Sequence, residues 1–70
     1  MYSKNMYPNL RAEMARKKIT STELANKLNI STSTMSTKMN GKYDFTLEEA
    51  KEIQHILNTD IPIDVLFKKE

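Results

Sequence analysis

Two six-residue segments constrain this chain more than anything else in it: "ITSTEL" at 19–24 and "FTLEEA" at 45–50. In each, a threonine stands three residues ahead of a glutamate. The hydroxyl can accept the N–H of the third helical residue while the carboxylate reaches back to the threonine's own N–H, so two orphan donors are satisfied at once. Ile19 with Leu24, and Phe45 with Ala50, supply the apolar pair that staples each entry. Helices therefore start after Thr20 and after Thr46, and the fold must accommodate both. The chain has 70 residues and no cysteine. A domain of that size buries only about 60% of the surface its unfolded chain exposes. With no disulfide and no His/Cys cluster for a structural metal, its core must come from aliphatic and Met side chains or from a partner subunit.

The remaining elements follow from the same kind of signal. Pro8 suits a first helical position, and a helix from Pro8 to Lys18 buries Leu10 and Met14 while showing Arg11, Lys17 and Lys18 to solvent. The helix from Ser21 to about Leu28 buries Leu24, Ala25 and Leu28. Next comes "STSTMSTKMNG" at 31–41, whose six hydroxyl residues in seven positions have the composition of a linker. Met35 and Met39 argue otherwise, because an i, i+4 apolar pair is what one helix face needs and a spacer does not. Ser31 can cap this helix after the short Asn29-Ile30 connection, and Gly41 stops it in an Asn-Gly-Lys turn. A fourth helix, Leu47 to about Asn58, shows Leu47, Ala50, Ile53 and Leu57 on one side. Pro62 begins a short fifth turn carrying Val65, Leu66 and Phe67. The expected fold is all-α: a compact bundle of five short helices without a sheet.

Several function classes find no support. There is no nucleophile–base arrangement, no metal-ligand spacing and no glycine-rich phosphate loop. His55 projects from the polar side of its helix, without a second ligating residue near it in sequence, and reads as a surface histidine. No catalytic residue, metal, cofactor or small-molecule ligand is expected, and the chain does not read as an enzyme. The start "MYSKNMYPNL" lacks the apolar core of a signal peptide, and no apolar run approaches the roughly 20 residues that span a bilayer. A soluble, cytoplasmic protein with no membrane association is expected. Net charge is only +2, but residues 1–43 hold eight Lys/Arg against two Asp/Glu and residues 44–70 hold three against seven, that is, +6 followed by −4. Such polarity suits a first half that faces a polyanion and a second half that faces away.

The segment "ITSTELANKLNISTSTMSTKMNGK", residues 19–42, resembles the helix-turn-helix of the phage Cro/CI repressor family, also called the XRE family. "ELANKLNIS" looks like that family's first motif helix and turn, with Ala25 at the small position where two helices touch. "STMSTKMNGK" looks like its recognition helix and recurring Asn-Gly-Lys end, and "FTLEEAKEIQHILNTDIPIDVLF" is similar to its fourth helix and closing turn. The resemblance covers roughly residues 8–67. Three positions depart from the pattern. Asn29 replaces a frequent Gly, Met14 and Met39 stand where many relatives place an Arg-Glu pair, and the recognition helix lacks long Gln and Arg side chains.

The resemblance implies a lambda-repressor-like DNA-binding domain occupying 1–70, with an N-terminal arm at 1–7, the motif at about 20–41 and a closing turn and tail at 61–70. At 100° per residue, Met35 and Met39 point inward, and Ser33, Ser36 and Thr37 lie opposite, with Asn40 below them and Thr32 at the exposed N-terminal end. In a helix laid into the major groove, Thr32, Ser33, Ser36 and Thr37 meet base edges. Ser21, Lys38, Asn40, Lys42 and Arg11 are the expected DNA-backbone contacts. Single hydroxyls read bases less sharply than a bidentate Arg–guanine or Gln–adenine pair. The expected protein is a small phage or bacterial transcriptional regulator of the Cro or short-repressor kind, without the second domain of long repressors. Its partner is a double-stranded operator, which it binds as a weak homodimer. Ile56, Ile61, Ile63 and Val65 are candidates for the dimer surface, although a tail covering its own core gives the same pattern. The alternative is a protein-interaction module, for instance an anti-repressor that pairs with a related regulator.

Overall fold

In the computed structural model, residues 6–69 are described. They form five helices: α1 Pro8–Lys17, α2 Ser21–Leu28, α3 Thr32–Met39, α4 Leu47–Leu57 and α5 Ile63–Leu66. Both capping boxes are closed. Thr20 accepts from the Glu23 N–H and Thr46 from the Glu49 N–H, and each glutamate accepts the threonine N–H at 2.9 Å. Ser31 accepts from the Thr34 N–H at 3.0 Å, so the hydroxyl-rich segment is a capped helix and not a linker.

The first four helices also share a way of stopping. Beyond each end one residue turns left-handed (Lys18, Asn29, Gly41 and Asn58), and the next residue's N–H reaches back five positions to a helical carbonyl. This 6→1 closure satisfies carbonyls that the helix end would otherwise orphan. Gly41, at φ +84°, also leaves room for Met6, whose Cε would lie 2.6 Å from an added Cβ. Asn29 fills its left-handed position at φ 62°, a region that Asn visits more readily than most residues. Ile19 and Ile30, which follow the stops of α1 and α2, pack against the core.

Leu10, Leu24, Met35, Ile53, Leu57 and Leu66 are the largest fully buried side chains, one or two from each helix. α4 is packed by α1, α2 and α5, while α3 packs helix-on-helix against α2. Met6 and Tyr7, within the expected N-terminal arm, pack at the core. Tyr7 is buried, and its ring stands edge-on to Phe45 and Phe67, with centroids 5.4 and 6.1 Å away; Phe45 and Phe67 are 5.3 Å apart. The three rings join the segment before α1, the α3–α4 connection and the tail, at spacings where edge-to-face pairs attract. Burial raises the Tyr7 phenol above its ordinary value. Residues 1–5 of the expected arm lie outside the described part.

Leu47 corrects the sequence reading. The i, i+3 spacing to Ala50 predicts it on the apolar side of α4, yet it is 63% exposed. At 100° per residue it stands roughly a quarter-turn from the centre of the stripe made by Ala50, Ile53 and Leu57.

Candidate nucleic-acid interface

The two ends of α3 are built differently. Its N-terminal turn begins at Ser31, whose hydroxyl also donates to the Thr34 hydroxyl at 2.9 Å. Thr32, Ser33 and Ser36 are exposed, and Met35 and Met39 are buried on the opposite side. Thr37 differs from the other three base-edge candidates. It is half-buried, and its hydroxyl donates to the Ser33 carbonyl at 2.9 Å, which leaves the oxygen only as an acceptor.

At the other end of α3, a cleft of about 260 Å³ opens between α1, α2 and α3. Arg11, Met14, Ser21, Ser36, Met39 and Asn40 line it. Three of the expected backbone-contact residues, Arg11, Ser21 and Asn40, thus converge beside a base-edge candidate, Ser36. Ser21 is the first residue of α2 and Asn40 caps α3. The Arg11 guanidinium is held over the end of α3: Nε donates to the Met6 carbonyl at 2.7 Å and Nη2 to the Met39 carbonyl at 3.1 Å. Arg11 therefore supplies a polar tie between α1 and α3 in a chain whose Met14 and Met39 line the same cleft as core residues. Lys42 is exposed just past the Gly41 stop.

Lys38 does not stand free with this group. Its Nζ lies 2.9 Å from Glu49 Oε1 and donates to the Asp44 carbonyl at 3.3 Å, with only 13% of the side chain exposed. Burial works to raise the Glu49 carboxyl, but the Thr46 N–H and the Lys38 ammonium outweigh it and hold the group below the ordinary value. Asp44 is also held low, by its hydrogen bond from Lys69, and Lys69 is raised in return. None of the three contacts was legible in sequence, since residues so far from Lys38 and Asp44 meet only once the α3–α4 connection is folded.

The candidate dimer residues separate. Ile56 and Ile61 pack, half-buried, against the core, whereas Val65 is 43% exposed. Ile63 lines an apolar groove with Phe45, Leu47, Ala50 and Phe67. Two large apolar side chains that the sequence reading did not place on the surface, Tyr43 and Leu47, are more exposed than Val65. Among the described residues no group of His, Cys, Asp and Glu could hold a metal, and no helix is long and apolar enough to cross a membrane.

A five-helix bundle with two capped helices joined by a tight turn, the second showing a polar face beside a cleft that holds Arg11, has the architecture of a helix-turn-helix domain. The family model described as a Cro/C1-type HTH DNA-binding domain matches residues 9–66, and the chain belongs to that family. No curated protein and no solved structure gives a significant match.

Proposed function

We propose that this protein is a sequence-specific double-stranded DNA-binding transcriptional regulator of the small Cro or short-repressor type, acting on DNA in the cytoplasm. The observation that carries the reading is the convergence of Arg11, Ser21, Ser36 and Asn40 on one cleft beside the exposed hydroxyls of α3. In this reading Thr32, Ser33 and Ser36 meet base edges in the major groove, and Thr37 contributes its methyl or its acceptor oxygen. A phosphate sits over the cleft, taking the remaining Arg11 donors, the Ser21 hydroxyl and the Asn40 amide. Lys42 neutralises a neighbouring phosphate.

The regulator works as a dimer completed on the operator, because one helix of short side chains covers too few base edges to pick a site from a genome. Its seam runs along Leu47, Ile63 and Val65. Ile56 and Ile61 are spent on the core. A dimer reading two half-sites must set its α3 helices about one turn of duplex apart, roughly 34 to 36 Å.

Selecting bound sites from a random duplex library, then titrating the selected site at several salt concentrations, tests the reading. The expected result is a near-palindromic site and an affinity that falls steeply with salt. Inserting about five base pairs between half-sites should weaken binding strongly, since it turns one half-site to the far side of the duplex. Equal affinity for natural and respaced sites removes the dimer. Absence of salt-dependent duplex binding removes the DNA reading in favour of a protein-interaction module.

A further inference from the structure

α3 packs helix-on-helix only against α2 among the described residues. Met35 and Met39 seat its inner face in the core, and two polar side chains tie its C-terminal half to neighbouring elements. Arg11 takes the Met39 carbonyl, as described. On the other flank Lys38 leaves α3 and joins the start of α4. Its Nζ is 2.9 Å from Glu49 Oε1, donates to the Asp44 carbonyl, and lies 5.9 Å from the Phe45 ring centroid. The same Glu49 oxygen accepts the Thr46 N–H at 2.9 Å. One carboxylate oxygen therefore serves both the α4 cap and the α3 brace. Both partners are largely covered, with 13% of the Lys38 and 21% of the Glu49 side chain exposed.

We propose that Lys38 is a positioning residue for DNA recognition: by pairing with Glu49 and the Asp44 carbonyl at the start of α4, it sets the angle at which α3 enters the groove and does not neutralise a phosphate. The inference rests on the DNA-binding reading above. Drawing Lys38 out to a phosphate would strip a largely buried carboxylate of its cation, and breaking a covered pair in this way is costly. Lys42 is exposed and can neutralise a phosphate without any such loss. Two lysines four positions apart on the basic half thus have different tasks, one fixing geometry and one providing affinity. Among the described titratable groups packed at the brace are also Lys69, which is bound to Asp44, and the neutral phenol of Tyr7 within the ring cluster.

The test compares Lys38→Met, Lys38→Arg, Glu49→Gln and Lys42→Gln at a temperature where circular dichroism shows every variant fully folded. Glu49→Gln is informative because glutamine can still close the capping box. It also removes a negative charge, which through simple charge counting should tighten DNA binding. Each variant is titrated with the duplex selected from the random library and with an unrelated duplex, over a range of salt. Lys38→Met and Glu49→Gln should each lose roughly fivefold or more on the selected site, about what one mismatched base pair costs, and keep their affinity for the unrelated duplex. Their log–log salt slopes should match the wild type, and Lys38→Arg should restore the lost discrimination. Lys42→Gln should weaken both duplexes alike and make the slope shallower by roughly one. The proposal is overturned if Lys38→Met behaves like Lys42→Gln, or if Glu49→Gln binds the selected site as tightly as the wild type or more so. Should the wild type itself show no salt-dependent duplex binding, the DNA reading fails separately. The brace is then judged by hydrogen exchange: faster exchange of the C-terminal α3 amides in Lys38→Met, with α2 unchanged, supports it, and unchanged α3 exchange refutes it.

Discussion

Replacing Ser33 and Ser36 together by Ala should move binding and folding in opposite directions. Both residues are exposed on α3, and neither hydroxyl has a side-chain hydrogen-bond partner among the described residues. Removing them leaves no buried group unsatisfied and gains helix propensity of about 0.5 kcal/mol each. For a domain of this length, 1 kcal/mol corresponds to a midpoint shift of about 4 to 8 °C, so thermal unfolding should occur a few degrees higher. Binding loses two hydroxyl–base hydrogen bonds of about 0.5 to 1.5 kcal/mol each. A loss of about 1 to 3 kcal/mol means that Kd for the selected site rises roughly 5- to 160-fold. Thr37→Val should cost less, because its hydroxyl proton is already given to the Ser33 carbonyl. Fluorescence anisotropy against selected and unrelated duplexes, beside thermal unfolding by circular dichroism, reads both quantities. A double variant that unfolds higher yet binds the selected site unchanged would refute the assignment of this face.

Other expectations concern stability. Lys18→Gly should stabilise by about 1 kcal/mol, since a lysine there holds a left-handed conformation, φ 59°, that glycine adopts without strain; a lower unfolding midpoint would contradict it. Met35→Ala should cost about 2 to 5 kcal/mol, because Met35 is fully buried and its loss leaves a cavity beneath α3, measurable by urea unfolding. The folded state holds Glu49 and Asp44 below their ordinary values of 4.5 and 3.8. Their contribution to stability is therefore complete above that ordinary range and lost as pH falls through the lowered folded values. Unfolding midpoints should decline as pH falls through that window, and Glu49→Gln should flatten the decline.

Local chemistry was legible in the sequence wherever a residue acts on its own neighbourhood. Thr20 with Glu23, Thr46 with Glu49, Ser31, Asn29 and Gly41 announced the helix ends because caps and stops work over three to five residues. Met35 and Met39 announced a helix inside a linker-like composition because their spacing outweighs the propensity of their neighbours. Lys38 was different. As a lysine on a basic helix it looked like a phosphate contact, and only the folded connection from Asp44 to Glu49 shows the partner that holds it. The Tyr7, Phe45 and Phe67 cluster was hidden for the same reason, and it draws Tyr7 out of the expected arm. Leu47 was misread because a one-residue i, i+3 match to Ala50 looks like a stripe, although the angle to Ile53 and Leu57 already carries it off the buried side. In the site, the hydroxyl face followed from the angle between residues, whereas the meeting of Arg11 with Ser21, Ser36 and Asn40 needed α1 in place.

Whether α3 and the cleft beside it form the DNA-binding surface can be read from backbone amide resonances as the selected duplex is added to isotope-labelled protein. The largest shifts should fall on Ser21, on Thr32 to Thr37, and on Asn40 to Lys42. Lys51, Glu52 and His55, on the exposed side of α4, should stay unmoved. Shifts concentrated on Tyr43, Leu47 and Val65 with α3 silent would contradict it.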